Sequence, residues 1–196
     1  MTLNDRSSAL SLLTSRRSGK PRDLVEPGPS QDELKQILAM AVRAPDHGKL
    51  TPWRFVIVRQ DQRQALANLL QGALNESVPE ATDAHFAKAV EFAHQAPAMV
   101  VLISSPVPNH KIPVWEQQLS CGAVGMNLLL AAAALGYVGG WITGWQAYSE
   151  YVRKAFCNDD EKIAGFLFIG TPKFPLEERP RPDLLALMRD WSPPKA

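Results

Sequence analysis

The chain has 196 residues, 45% hydrophobic and 21% charged, with 21 basic and 20 acidic side chains for a net charge of +1. That length can bury a sizeable core, and one domain over residues 1–196 is expected. The near-balanced charge excludes a general nucleic-acid or membrane-surface binder, so any anion site must come from local clustering. Two cysteines, Cys121 and Cys157, have no spacing that pairs them. Asp5 and Arg6 interrupt the start before any apolar run of signal-peptide length, and a reduced, cytoplasmic protein is the expectation.

In chain order, Leu3 to Arg16 reads as a first helix with Leu3, Leu10, Leu12 and Leu13 as apolar contacts, ended by the Gly19 and Pro21 breakers. Pro27-Gly28-Pro29 is a turn, and Ser30 to Glu33 is a capping box opening a second helix. Its apolar face is Leu34, Ile37, Leu38, Ala41 and Val42, and Pro45 ends it. A polar loop, Pro45 to Pro52, leads into a strand over Trp53–Val58. Asp61 is the expected cap of a third helix reaching Leu74, and Thr82 to Gln95 makes a fourth. Pro97 to Ile103 is apolar on both faces, the pattern of a central strand.

From Gln117 to Ser149 there is no charged side chain. Such a run is a membrane span or the buried axis of a globular domain. Asn127 in its middle, Gln117, Gln118 and Ser120 at its start, and the lack of close flanking Lys or Arg favour the buried axis. The spacing predicts a helix over about Ile112–Leu135, with Pro113 in its first turn and Gly136 as a left-handed cap. Gly122, Ala123, Gly125 and Ala131 to Ala134 allow close helix approach, within the core or to a second subunit. Strands over Tyr137–Thr143 and Ile163–Ile169 flank a short helix over Tyr148–Phe156, and a tail ends in a Leu184–Trp191 segment. Strands alternating with helices imply an α/β or α+β domain of two or three layers.

No GxGxxG or GxxxxGK[ST] follows a strand, which leaves a Rossmann or P-loop site unsupported. His47, His85, His94 and His110 lack zinc-motif spacing, so no metal site is expected. No nucleophile signature surrounds a serine or cysteine, and no catalytic residue is assigned. What remains is a scattered set of anion-binding groups: Arg16, Arg17 and Ser18; Arg43, His47 and Lys49; Arg179 and Arg181. Guanidinium forks bond phosphate bidentately. Read singly, each group is an ordinary surface charge.

Read together, they resemble the nitroreductase family of flavoproteins, in particular its short YdjA-like branch. The likeness rests on Ser15-Arg16-Arg17-Ser18, Arg43-Ala-Pro-Asp-His47, Pro52-Trp-Arg-Phe55, Lys111 to Gln117, Gly139-Gly-Trp141 and Gly165 to Pro172. No one of these is specific; their order and spacing are. The resemblance implies an α+β nitroreductase fold, with a central mixed sheet flanked by helices and a long buried helix at a homodimer interface. It also implies FMN in two sites shared between subunits, and hydride transfer from NAD(P)H to nitroaromatic or quinone-like acceptors by a ping-pong cycle. A flavin-using desaturase or dehalogenase on the same scaffold, or a flavin-binding protein without turnover, stays open.

By that likeness Arg16, Arg17 and Ser18 hold the FMN phosphate and ribityl end. Arg43, Pro45, Asp46, His47 and Lys49 reach it from the partner subunit. Trp141, Ile142 and Thr143 lie along the isoalloxazine, and Arg179 and Arg181 form a late basic pair. Ala131, Ala132, Ala133, Ala134, Leu135 and Gly136 match a stretch associated with the nicotinamide nucleotide. Three departures bear on substrate choice: His47 and Lys49 replace small hydroxyl or amide residues, Ile142 replaces an Arg, and the long lid helices of larger members are absent. Gly125, among the small residues of the axial helix, is expected in the dimer interface.

Overall fold

The structure is a computed structural model and describes residues 2–194. The helices are α1 (Ala9–Ser15), α2 (Gln31–Ala41), α3 (Arg63–Ser77), α4 (Asp83–His94), α5 (Val114–Ala134) and α6 (Glu150–Phe156). The strands are β1 (Leu24–Val25), β2 (Trp53–Ile57), β3 (Ala98–Ser104), β4 (Val138–Ile142) and β5 (Lys162–Pro172). The long strand β5 lies at the middle, pairing with β1, β3 and β4, while β2 pairs with β3. Among the described residues every pairing is antiparallel, so the α+β class holds but the sheet is not mixed.

Period-two alternation in β3 and β5 divides the core in two. Met99, Val101, Ile103, Phe166 and Phe168 face the layer of α3, α4 and α6. Val100, Leu102, Leu167 and Ile169 face α2 and α5. On the first side Phe92 stands edge-on to both Phe166 and Phe168, at centroid distances of 5.2 and 5.3 Å.

The helix termini show which local signals hold. The Ser30–Glu33 capping box forms, with Ser30 N–H donating to Glu33 Oε2 at 2.9 Å and Glu33 N–H to Ser30 Oγ at 3.2 Å. The third helix departs from expectation: Asp61 lies in a single 3-10 turn, and Gln62 is the N-cap. At its base the buried Arg63 donates to the carbonyls of Val58 (3.2 Å), Ala93 (2.9 Å) and Gln95 (3.0 Å). A side chain thereby satisfies acceptors at the C-terminal end of α4. Burial pushes the Arg63 guanidinium down to about 10, and it stays charged at neutral pH.

α1 is shorter than expected, capped by Ser8, whose Oγ accepts Ser11 N–H at 3.0 Å. Leu10 and Leu13, expected to pack inward, are 72% and 62% exposed.

In α5 Gln117 and Ser120 clamp loops and Asn127 reaches the end of α2, which explains their place in an apolar helix. Gln117 accepts Val107 N–H at 2.8 Å and donates to Ile112 O at 3.0 Å. Ser120 Oγ donates to Pro45 O, and Asn127 Nδ2 to Ala41 O at 3.4 Å. The helix ends as a Schellman motif. Gly136, at φ 97°, donates to Ala133 O at 3.0 Å, and Tyr137 N–H donates to Ala132 O at 2.9 Å.

α5 is not buried all round. Trp115, Leu119 and Met126 form a bare apolar stripe, and at Gly122 a side chain would enter open space. Gly125 is on the other face, a correction to its expected place between subunits. A Cβ there would lie 2.4 Å from Cζ3 of Trp141. Among the described residues no helix is long and apolar enough to cross a membrane.

Candidate functional site

After α1 the chain runs extended from Arg16 to Lys20 along β4. Gly19 N–H donates to Gly139 O at 3.2 Å, and a Cβ on Gly140 would stand 2.7 Å from Gly19 O. The glycine pair of β4 therefore admits this strap at close quarters. Strap, β4, the end of α4 and the C-terminal tail enclose a cleft of about 540 Å³. Among the described residues six cations line it, Arg16, Arg17, Lys20, Arg22, Arg179 and Arg181, beside Ser18, Phe92, Gln95, Trp141 and Ile142, and no acidic residue does. A chain of net charge +1 thus concentrates positive charge at one place.

Three of the arginines are held by backbone and side-chain acceptors. Arg17 Nε donates to Glu177 O at 2.7 Å and Nη1 to Ser18 O at 3.0 Å. Arg16 Nη1 donates to Ser18 Oγ at 3.1 Å. Arg181 Nη2 donates to Glu178 Oε1 at 2.7 Å and to Arg16 O at 3.4 Å. Burial, then the charges of Arg181 and Arg17, hold the half-buried Arg16 guanidinium below its ordinary value, with Glu178 opposing. An anion in the cleft would relieve that repulsion.

Trp141 and Ile142 line this cleft; Thr143 does not. The Trp141 indole turns into the packing between α5 and β5, donating from Nε1 to Ala164 O at 3.1 Å. Gly125 and Gly165 flank it, and a Cβ on Gly165 would reach 2.0 Å from Nε1. At Trp141 it is therefore the packed side chain that holds the strand end in place.

The second expected group lies outside the cleft. Arg43 follows α2, and Pro45 to Thr51 packs on the N-terminal half of α5. His47 Nδ1 shares a 2.8 Å hydrogen bond with Glu116 Oε2. Asp46 accepts the N–H groups of Leu50 (3.1 Å) and Thr51 (2.8 Å), a structural use of that carboxylate. Gly48, Lys49 and Thr51 have φ of 75°, 55° and 50°, so two non-glycine residues sit in the left-handed region. Such conformations gather at ligand-binding loops. Within one chain Arg43, Pro45, Asp46, His47 and Lys49 contribute no wall to the cleft.

The stretch expected at the nicotinamide nucleotide is mostly inaccessible. Ala131, Ala132 and Ala133 are 4%, 0% and 3% exposed, their methyls spent on helix packing. Only Ala134, Leu135 and Gly136 present surface, so the expectation narrows to the helix end. Lys20 and Arg22 also line the cleft without having been assigned to it from the residues; their signal was closeness in sequence to Arg16 and Arg17. Among the described residues no group of three His, Cys, Asp or Glu side chains could hold a metal.

Residues 13–171 match the Nitroreductase family. The chain is 38% identical over 167 residues to YdjA of Escherichia coli (strain K12), provisionally named an NAD(P)H nitroreductase, covering 84% of this chain and 88% of YdjA. Its fold is similar to that of a nitroreductase-like protein from Bacillus cereus, with a TM-score of 0.79 at 22% identity, over 93% of this chain and 95% of the other. It is also similar to a provisionally named nitroreductase from Exiguobacterium sibiricum 255-15 solved in complex with FMN, with a TM-score of 0.69 at 19% identity, over 98% and 99% of the two chains. Family match, sequence identity and fold agree: the chain belongs to the nitroreductase family.

Proposed function

We propose that this protein is an FMN-dependent NAD(P)H oxidoreductase that reduces nitroaromatic or quinone-like acceptors as a homodimer. The observation that carries it is the convergence of six cations from strap and tail on one cleft beside the β4 end. The donor set suits the cofactor: guanidinium forks and the Ser18 hydroxyl match a phosphate carrying about two charges. FMN, when bound, supplies the hydride chemistry, and the protein binds, orients and shields it. Arg16, Arg17, Ser18, Arg179 and Arg181 hold the phosphate and ribityl end, and β4 borders the ring.

The loop of Arg43, Pro45, Asp46, His47 and Lys49 completes the site from the partner subunit. Two observations support a shared site. The loop stands apart from its own chain's cleft, and α1 and α5 leave Leu10, Leu13, Trp115, Leu119 and Met126 bare. Exposed apolar surface of this extent marks an interface. Both cysteines are free thiols, in keeping with a cytoplasmic setting.

The test is the purified protein's absorption spectrum, followed by anaerobic addition of NADH or NADPH and then of a nitroaromatic. A flavin spectrum bleached by nicotinamide and restored by the acceptor is expected. A colourless protein that takes up no FMN refutes the reading. Bound flavin that neither nicotinamide reduces would instead indicate a carrier. Arg17→Ala should weaken FMN binding by about 1.5–3 kcal/mol, the loss of a charged hydrogen bond.

A further inference from the structure

The C-terminal segment carries an apolar face that its own chain does not cover. After Pro182 the sequence runs Asp183-Leu-Leu-Ala-Leu-Met-Arg-Asp-Trp191, followed by Ser192-Pro193-Pro194. Leu184, Leu187, Met188 and Trp191 recur at i, i+3, i+4 and i+7, one stripe of a helix, while Ala186, Arg189 and Asp190 fall on the other side. The boundary signals agree. Asp183 Oδ1 accepts Leu185 N–H at 3.0 Å, the bond of an N-cap, and the prolines stop the run. Only the first turn forms, with Leu187 N–H donating to Leu184 O at 3.0 Å. The four side chains of the stripe are 59% to 82% exposed. So short a helix is marginal in water and needs a surface to pack on.

The root of the segment limits where that surface lies. Arg181 Nη2 donates to Arg16 O at 3.4 Å, and Arg16 is the C-cap of α1. The segment therefore starts at the end of the helix whose Leu10 and Leu13 are also bare. As a helix it would span about 13 Å, which keeps it in the surroundings of α1. In a two-fold dimer that pairs the α1 and α5 faces, one patch meets its own copy. A segment rooted at the edge of that patch then borders the other subunit. Its charged residues, Asp183, Arg189 and Asp190, carry no basic excess, which suits a protein surface rather than a lipid one.

We infer that residues 183–191 fold as an amphipathic helix on the apolar α1–α5 surface of a second copy of this chain, and that this docking holds Arg179 and Arg181 at the cleft. Arg181 is two residues from the cap, so ordering the helix orders the arginine. A phosphate on the arginines and a docked helix each bind more tightly when the other is in place. The inference rests on the reading of a homodimer whose cleft takes the FMN phosphate.

The experiment compares full-length wild type with a double variant, Leu187→Ser with Met188→Ser, whose side chains are exposed on the single chain and leave its core alone. Trp191 emission is isolated by difference from Trp191→Phe, and its quenching by acrylamide is read with and without FMN. In the wild-type dimer Trp191 should be quenched several-fold less than free tryptophan, and less again with FMN bound. In the double variant it should be quenched like free tryptophan. FMN should bind the double variant at least about fivefold more weakly, the low end of couplings between sites. Riboflavin, which lacks the phosphate, should bind both proteins equally. Trp191 quenched like free tryptophan in the flavin-loaded dimer overturns the inference, as does equal FMN affinity or an equal loss for riboflavin. Shielding that persists in Gly122→Arg monomers would assign the helix to its own chain, and shielding only with anionic vesicles would assign it to a lipid surface; either overturns the inference. Failure of the underlying reading looks different: the wild type would be monomeric or would take up no FMN.

Discussion

Gly125→Ala tests the packing behind the site. The added methyl would lie 2.4 and 2.5 Å from Cζ3 and Cη2 of Trp141 and 3.1 Å from Cδ2 of Leu102, so the indole must move. It cannot retreat freely, because Gly165 lies against its pyrrole edge. Overpacking of a core costs about 1–3 kcal/mol. Displacing the indole also breaks the 3.1 Å bond from Nε1 to Ala164 O, which costs a further ~1–3 kcal/mol if both groups stay buried. Alanine returns only ~1 kcal/mol through helix propensity. The net expectation is a loss of about 2–3 kcal/mol, or roughly 5–10 °C in melting temperature for a chain of this size. Urea denaturation at fixed protein concentration, without flavin, measures it. Trp141→Phe removes the benzo edge that meets the methyl, so the Gly125→Ala cost should fall by at least ~1 kcal/mol in that background. A neutral or stabilising Gly125→Ala, or a coupling near zero, would falsify the assigned clamp.

Three other outcomes follow from particular contacts. Gly122 is open on its own chain, so Gly122→Arg should leave the subunit folded while light scattering shows monomers that lose flavin; a flavin-loaded monomer would count against the shared site. Glu161, paired in fork fashion with Arg54 and accepting Asn158 N–H at 2.7 Å, is held at about 2 against an ordinary 4.5, chiefly by Arg54. That corresponds to roughly 3 kcal/mol, discounted to about 2 because the Arg54 side chain is 36% exposed. A depressed carboxyl stabilises the fold above pH 4.5 and loses that contribution as pH falls through 2. The stability gap between wild type and Glu161→Gln should be full at pH 7 and narrow below pH 4.5; a gap independent of pH would refute the pairing. Arg63→Lys keeps the charge but cannot fork to Val58, Ala93 and Gln95, and should cost about 2–4 kcal/mol by urea denaturation, with no loss indicating that water replaces the bonds.

Much of the fold was legible because its signals are local. The Ser30 capping box, the apolar run of β3 and the Gly136 cap are fixed by neighbours within four residues, and each stands where the residues indicate. Asp61 shows the limit of such signals: a cap-type residue before an apolar run lost its role to a 3-10 turn one step earlier. Leu10 and Leu13 show another, since a helical repeat says that a face is apolar but not what covers it.

By itself the sequence determined the order of the helices and of the strands other than β1, the uncharged run of α5 from Gln117, the family and the segments that carry positive charge. The tertiary structure alone decided which of two glycines three residues apart in α5 meets Trp141 and which faces outward. It also decided that Arg54 meets Glu161 across 107 residues, and that Arg181 reaches Arg16 across 165. Helix period and capping act between neighbours and leave a pattern in the chain. A contact between distant segments leaves none, because any register of two apolar or charged faces satisfies the same pattern until packing selects one.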